Sequence, residues 1–65
     1  MTNLVKGLHD QIVRCRDLVK IYETIPSAGF ALMMIRPAIE RAERVLEGGD
    51  LTKMARCYKE LERFE

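Results

Sequence analysis

Two short breaks constrain this chain more than anything else in it. Ile25-Pro26-Ser27 and Gly48-Gly49-Asp50 cut the 65 residues into three segments, each with apolar residues at helical spacing. A residue that precedes proline is pushed out of the α region, so a helix arriving at the first break stops near Thr24. Ser27 then stands where the N-cap of the next helix belongs. At the second break, a glycine just past a helix end adopts the left-handed conformation at little cost. Asp50 is placed to cap the helix that follows. The breaks predict helices over about 3–24, 28–47 and 51–63 within one helical domain spanning 1–65.

The first segment carries Leu4, Leu8, Ile12, Cys15, Val19 and Tyr22 at alternating steps of four and three, a single helical stripe. Thr2 or Asn3 can cap it, and Gly7 is a mild weakness inside it. Leu18, Ile21 and Ile25 widen the stripe toward the end, which implies more than one packing partner there. The second segment places Ala28, Ala31, Leu32, Ile35, Ile39, Ala42, Val45 and Leu46 on its core side. Pro37 interrupts it and predicts a kink or a late helix start. Arg36–Glu40 and Glu40–Arg44 have the four-residue spacing of ion pairs on a solvated face. The third segment offers Leu51, Met54, Ala55, Tyr58 and Leu61, flanked by Cys57 and Phe64. The short glycine turn makes helices two and three an antiparallel hairpin. Helix one packs across it or pairs with a second copy.

The stretch from Gly29 to Ile35, G-F-A-L-M-M-I, is apolar all round the helix. Such a helix is buried on all sides, and a chain this short hides only about 60% of the surface it exposes when unfolded. Phe30, Met33 and Met34 point away from the side of Ala31, Leu32 and Ile35. They either pack beneath helix one or meet something outside the chain. Methionine-rich surfaces re-pack readily and suit adaptable binding sites. Small helical chains complete their cores by self-association, and a two-fold homodimer is the expected form.

Other chemistries find little material. Cys15 and Cys57 show no framework spacing, and no basic, apolar leader opens the sequence at Met1-Thr2-Asn3-Leu4. The expectation is a reducing cytoplasm with both cysteines as small hydrophobes. His9 is the single histidine, too few ligands for a zinc site. Ser27 is the single serine and stands at a helix cap, with His9 beside Asp10 on another helix, so no catalytic group or small-molecule substrate is expected. Glu40, Glu43 and Glu47 share a face with interleaved basic residues and read as solvated. No stretch approaches the ~20 apolar residues of a membrane span. The mixed charges of helix one, among them Asp10, Asp17 and Glu23, do not suit an anionic lipid surface. Lys53, Arg56, Lys59 and Arg63 on the third helix do not amount to a basic excess, because Glu60, Glu62 and Glu65 share that helix and the formal net charge is only +1. A second basic cluster, Arg14, Arg16 and Lys20, is spread around helix one. Nucleic acid is therefore the lesser alternative partner.

The segment Ala38–Leu61, with its internal alanines, Gly-Asp turn and Tyr-x-x-Leu ending, resembles one helical hairpin of a tetratricopeptide-type protein. It is a single copy, and such arrays need about three repeats, so the family's peptide-binding role is not carried over. The whole chain resembles small phage and prophage helical proteins. The shared features are the leading amphipathic helix, the Ile25-Pro26-Ser27-Ala28-Gly29-Phe30 junction, Met34-Ile35, Ala42-Glu43, and Gly49-Asp50 followed by Met54, Ala55 and Tyr58. That resemblance implies a protein acting in a bacterial host cytoplasm by binding and modulating a host protein, such as a transcription regulator or quorum-sensing activator.

The sequence thus predicts an all-α, three-helix domain, homodimeric, without cofactor or metal, that works by binding another protein. The contact residues expected are Phe30, Met33, Met34 and Arg36, followed by Tyr22 and Tyr58. Aromatic residues and arginine are the usual anchors of interfaces. The alternatives are a nucleic-acid-binding regulator and a structural subunit of a larger assembly.

Overall fold

The computed structural model describes residues 3–65 and is all-helical over them. Helix α1 spans Leu4–Tyr22, α2 spans Gly29–Gly48 and α3 spans Leu51–Glu62, with a single 3-10 turn at Pro26–Ala28 between the first two. Asn3 caps α1, its Oδ1 accepting from the Lys6 N–H at 3.1 Å. Thr2, the other capping candidate, lies outside the described residues.

The first break works differently from the expectation. α1 ends two residues before Thr24, in a tight turn where the Thr24 and Ile25 amides donate to Ile21 and Tyr22 at 3.0 Å each. Pro26, with its fixed φ, opens the 3-10 turn, and that turn runs directly into α2. Ser27 is inside the turn and caps nothing; Ala28 precedes α2 without a side-chain capping bond. Pro37 does not delay α2, which passes through it unbroken from Gly29.

The second break follows the expectation. Gly49 has φ +77°, the left-handed region, and its N–H reaches the Val45 carbonyl at 3.1 Å. Asp50 Oδ1 accepts from the Lys53 N–H at 3.2 Å and starts α3. The two-residue turn folds α3 back along α2, and Arg41 Nη2 meets Glu60 Oε2 at 3.0 Å across the hairpin.

α1 lies in the groove of that hairpin. Its ion pairs to α2 join Arg16 to Glu43 and Arg36 to Glu23, an antiparallel order. Its contacts with α3 run Gly7 to Tyr58 and Arg14 to Leu61, a parallel order. Gly7 is more than a weak point. A Cβ there would stand 3.3 Å from the Tyr58 ring, a tight contact that the ring would have to ease by a few tenths of an ångström. The core is Leu8, Ile12 and Cys15 from α1, Ile35, Ala38, Ile39 and Ala42 from α2, and Met54, Cys57 and Leu61 from α3.

One cross-helix tie fixes where α3 ends. The Arg14 guanidinium donates at 2.7 Å to both the Leu61 and Phe64 carbonyls, and the Cys15 thiol reaches the Leu61 carbonyl at 3.5 Å. A cation on the last carbonyls of a helix is favoured by its dipole as well as by hydrogen bonding. Leu51 departs from its predicted core place and is 61% exposed.

Candidate functional site: the two-helix end

Helix lengths decide what this bundle leaves uncovered. At 1.5 Å per residue, α2 is about 30 Å long and α3 about 18 Å. Counting back from the turn with Glu60 level with Arg41, α3 stops level with about Ala38. Beyond that point α2 has only α1 beside it. Burial along α2 begins at Ile35, about one turn before the level of the α3 end, and continues through Ala38, Ile39 and Ala42.

The residues singled out from sequence fall on the uncovered end. Phe30 is 75% exposed, Met33 74% and Met34 53%. Packing of these three beneath α1 is therefore not the arrangement adopted; Ala31 and Leu32 take the half-buried places toward it. Ile21 and Ile25, at the end of α1 and in the turn after it, are exposed at the same end. They lie outside the contact set expected from sequence, although their positions beside the main stripe already mark a widened apolar face.

Arg36 borders this end. Its Nη2 donates to Glu23 Oε2 at 2.8 Å, tying α2 to the end of α1, and it remains half-exposed. That cross-helix pair takes the place of the Arg36–Glu40 pair expected from spacing. Glu40 has no ion pair among the described residues. Tyr22 and Tyr58 differ from the other candidates in burial, and of the two only Tyr22, the last residue of α1, lies at this end. Both are half-buried and pack against the core, and Tyr58 lies on Gly7 at the far end of α1.

The remaining candidates are scattered. His9 and Asp10 are exposed on the early turns of α1, 3.9 Å apart, while Ser27 lies past the opposite end of the helix. No group of three His, Cys, Asp or Glu among the described residues is arranged to hold a metal ion. No described helix is long and apolar enough to cross a membrane. Of the four basic residues expected on the third helix, Lys53 and Arg56 line the groove beside α2; Lys59 does not, nor does Arg63, which follows the end of α3. Burial pushes the thiols of Cys15 and Cys57 above their ordinary range; Glu60 adds to the rise at Cys57, while Arg14 and Arg41 respectively oppose it.

Phe30, Met33, Met34, Ile21 and Ile25 are between 42% and 75% exposed, and large apolar side chains gathered in solvent at one end mark an interaction surface. Comparison of the chain with family models, with curated proteins and with solved structures finds no match in any of the three, so the reading of this end rests on its geometry.

Proposed function

We propose that this protein is a non-enzymatic protein-binding module whose two-helix end pairs with a second copy of itself. The carrying observation is the exposure of Phe30, Met33 and Met34 on the stretch of α2 that α3 does not reach. Two such ends related by a two-fold axis would each supply two helices, so that every apolar stripe meets another as in a four-helix bundle. The five exposed side chains with their half-buried neighbours approach the ~600–800 Å² per partner of a stable interface. Arg36, at the border and half-exposed, would act as a rim hydrogen-bond donor. The resemblance to small phage and prophage proteins adds a role, in which the dimer modulates a host protein by occupying its surface.

Light scattering at low micromolar concentration tests the reading. The expected mass is twice the 7.5 kDa of the chain. The double variant Phe30→Asp/Met33→Asp should run as a monomer with an unchanged helical circular-dichroism signal, because both positions are exposed in the single chain. A wild-type monomer at these concentrations, or a dimer that survives the double variant, would overturn it.

A further inference from the structure

α2 has a groove on each side, and the two grooves differ in how their charges are settled. The groove against α1 is lined by Arg16, Lys20 and Arg36 and by Glu23, Glu40 and Glu43. Those signs balance, and two of the cations are tied to Glu43 and Glu23. The groove against α3, about 680 Å³, is lined by Arg41 and Arg44 from one helix and Lys53 and Arg56 from the other. Its one acidic lining residue, Asp50, has Oδ1 engaged in capping α3. Glu60 holds Arg41. Arg44, Lys53 and Arg56 are exposed and have no ion-pair partner among the described residues.

Gathering like charges is unfavourable in an isolated helix, where such neighbours cost a few tenths of a kcal/mol per pair. Here cations come from both helices onto one groove, and between them lie Val45 and the largely buried Cys57. An apolar floor with cationic rims matches a segment that is apolar on one side and acidic on its flanks. We infer that this groove binds an acidic amphipathic helix of a protein partner, with apolar side chains on Val45 and Cys57 and carboxylates toward Arg44, Lys53 and Arg56. Two antiparallel helices present ridges and grooves into which a further helix packs at about 8–10 Å. A sugar-phosphate backbone has nothing apolar to set on the floor. A net charge of +1 also gives little long-range attraction to a polyphosphate. This groove lies at the hairpin-turn end, away from Phe30 and Met33, so it is independent of the dimer reading.

The probe is a fluorescent peptide of about 18 residues, long enough to form a helix, with leucines at three- and four-residue spacing and glutamates on both flanks. Anisotropy titration into the full chain should show binding. The triple variant Arg44→Ala/Lys53→Ala/Arg56→Ala should bind about tenfold more weakly or worse, with an unchanged thermal transition. Amide shifts on binding should centre on Val45, Gly48 and Cys57. The inference is overturned by no binding at millimolar protein, or by equal binding of a peptide with the same composition and scattered leucines. It is also overturned by tighter binding of a duplex or single-stranded DNA of similar length, or by shifts centred on Phe30 to Met34 instead.

Discussion

The two ends of α2 reach opposite states from similar material. Between Ile35 and Ala42 the inward residues are buried, two of them only alanines. Between Phe30 and Met34 three larger apolar side chains stand in solvent. Hydrophobicity does not separate the two ends, since large apolar side chains stand at both. The number of neighbouring helices does. Where α1 and α3 both flank α2, small side chains suffice to close the core; where α1 stands alone, even Phe30 has nothing to cover it. Leu51, in the first turn of α3 at the other end of the bundle, is likewise 61% exposed. In a bundle this small, relative helix length decides burial.

That contrast is tested most directly by truncating one large side chain at each end. Leu61 is fully buried, and Leu61→Ala should cost about 2–5 kcal/mol. For 65 residues the whole stability is of the order of 3–10 kcal/mol, so this variant should lose a large share of it and show a strongly lowered urea midpoint. Met33→Ala should change the stability of the dilute single chain by less than about 0.5 kcal/mol. Urea unfolding followed by circular dichroism reads both. Comparable losses at the two positions would mean that the two-helix end is as well packed as the three-helix end.

Arg14 marks the boundary between the ends, because it holds the last carbonyls of α3. Arg14→Met keeps the aliphatic stem and removes both hydrogen bonds to the end of α3, along with the one to Gln11. The expected loss is about 1–3 kcal/mol, together with faster amide exchange at Leu61 and Phe64. The exposed pair of Arg16 and Glu43 provides the contrast, and Arg16→Met should cost less than about 1 kcal/mol. Equal losses for the two arginines would remove Arg14 as the tie that terminates α3.

Much of this is legible in the sequence, and the parts that are not share a cause. Spacing and punctuation are local, so the three helices, the Gly49 turn and the Asp50 cap can be read from neighbouring residues. The all-round apolar stretch also singles out Phe30, Met33 and Met34, but not whether α1 covers them. That depends on where α3 stops beside α2, a relation between segments that no local pattern carries. The partner of Arg36 is hidden for the same reason: spacing offers Glu40 on its own helix, while the turn brings Glu23 from another. Ser27 departs from its expected role through proline chemistry, since a 3-10 turn leading straight into α2 leaves no capping position. Gly7 looks like a helix weakness because its use, contact with the Tyr58 ring, lies about fifty residues away in sequence. The cationic groove is hidden because its members come in pairs from two helices, although Arg41/Arg44 and Lys53/Arg56 each show the three-residue spacing that puts them on one face.

The smallest effect concerns the thiols, which only the three-helix end contains. Burial raises the Cys15 thiol above its ordinary range, with Arg14 opposing, and raises that of Cys57, with Glu60 assisting and Arg41 opposing. A raised value in the folded state means that the fold prefers the protonated thiol. Its contribution is then fully present below the unfolded thiol value, about 8.5, and is lost as pH rises through the folded value. Cys15 should dominate, because it is the more deeply buried and its S–H faces the Leu61 carbonyl as a donor. Urea midpoints should therefore hold steady from neutral pH to the usual thiol range and fall above it. Cys15→Ala should flatten that fall more than Cys57→Ala does, measured against the wild-type slope so that tyrosine and lysine titration cancels. A larger change from Cys57→Ala would place the tighter interior on the side of the cationic groove and not at the junction where α3 is tied to α1.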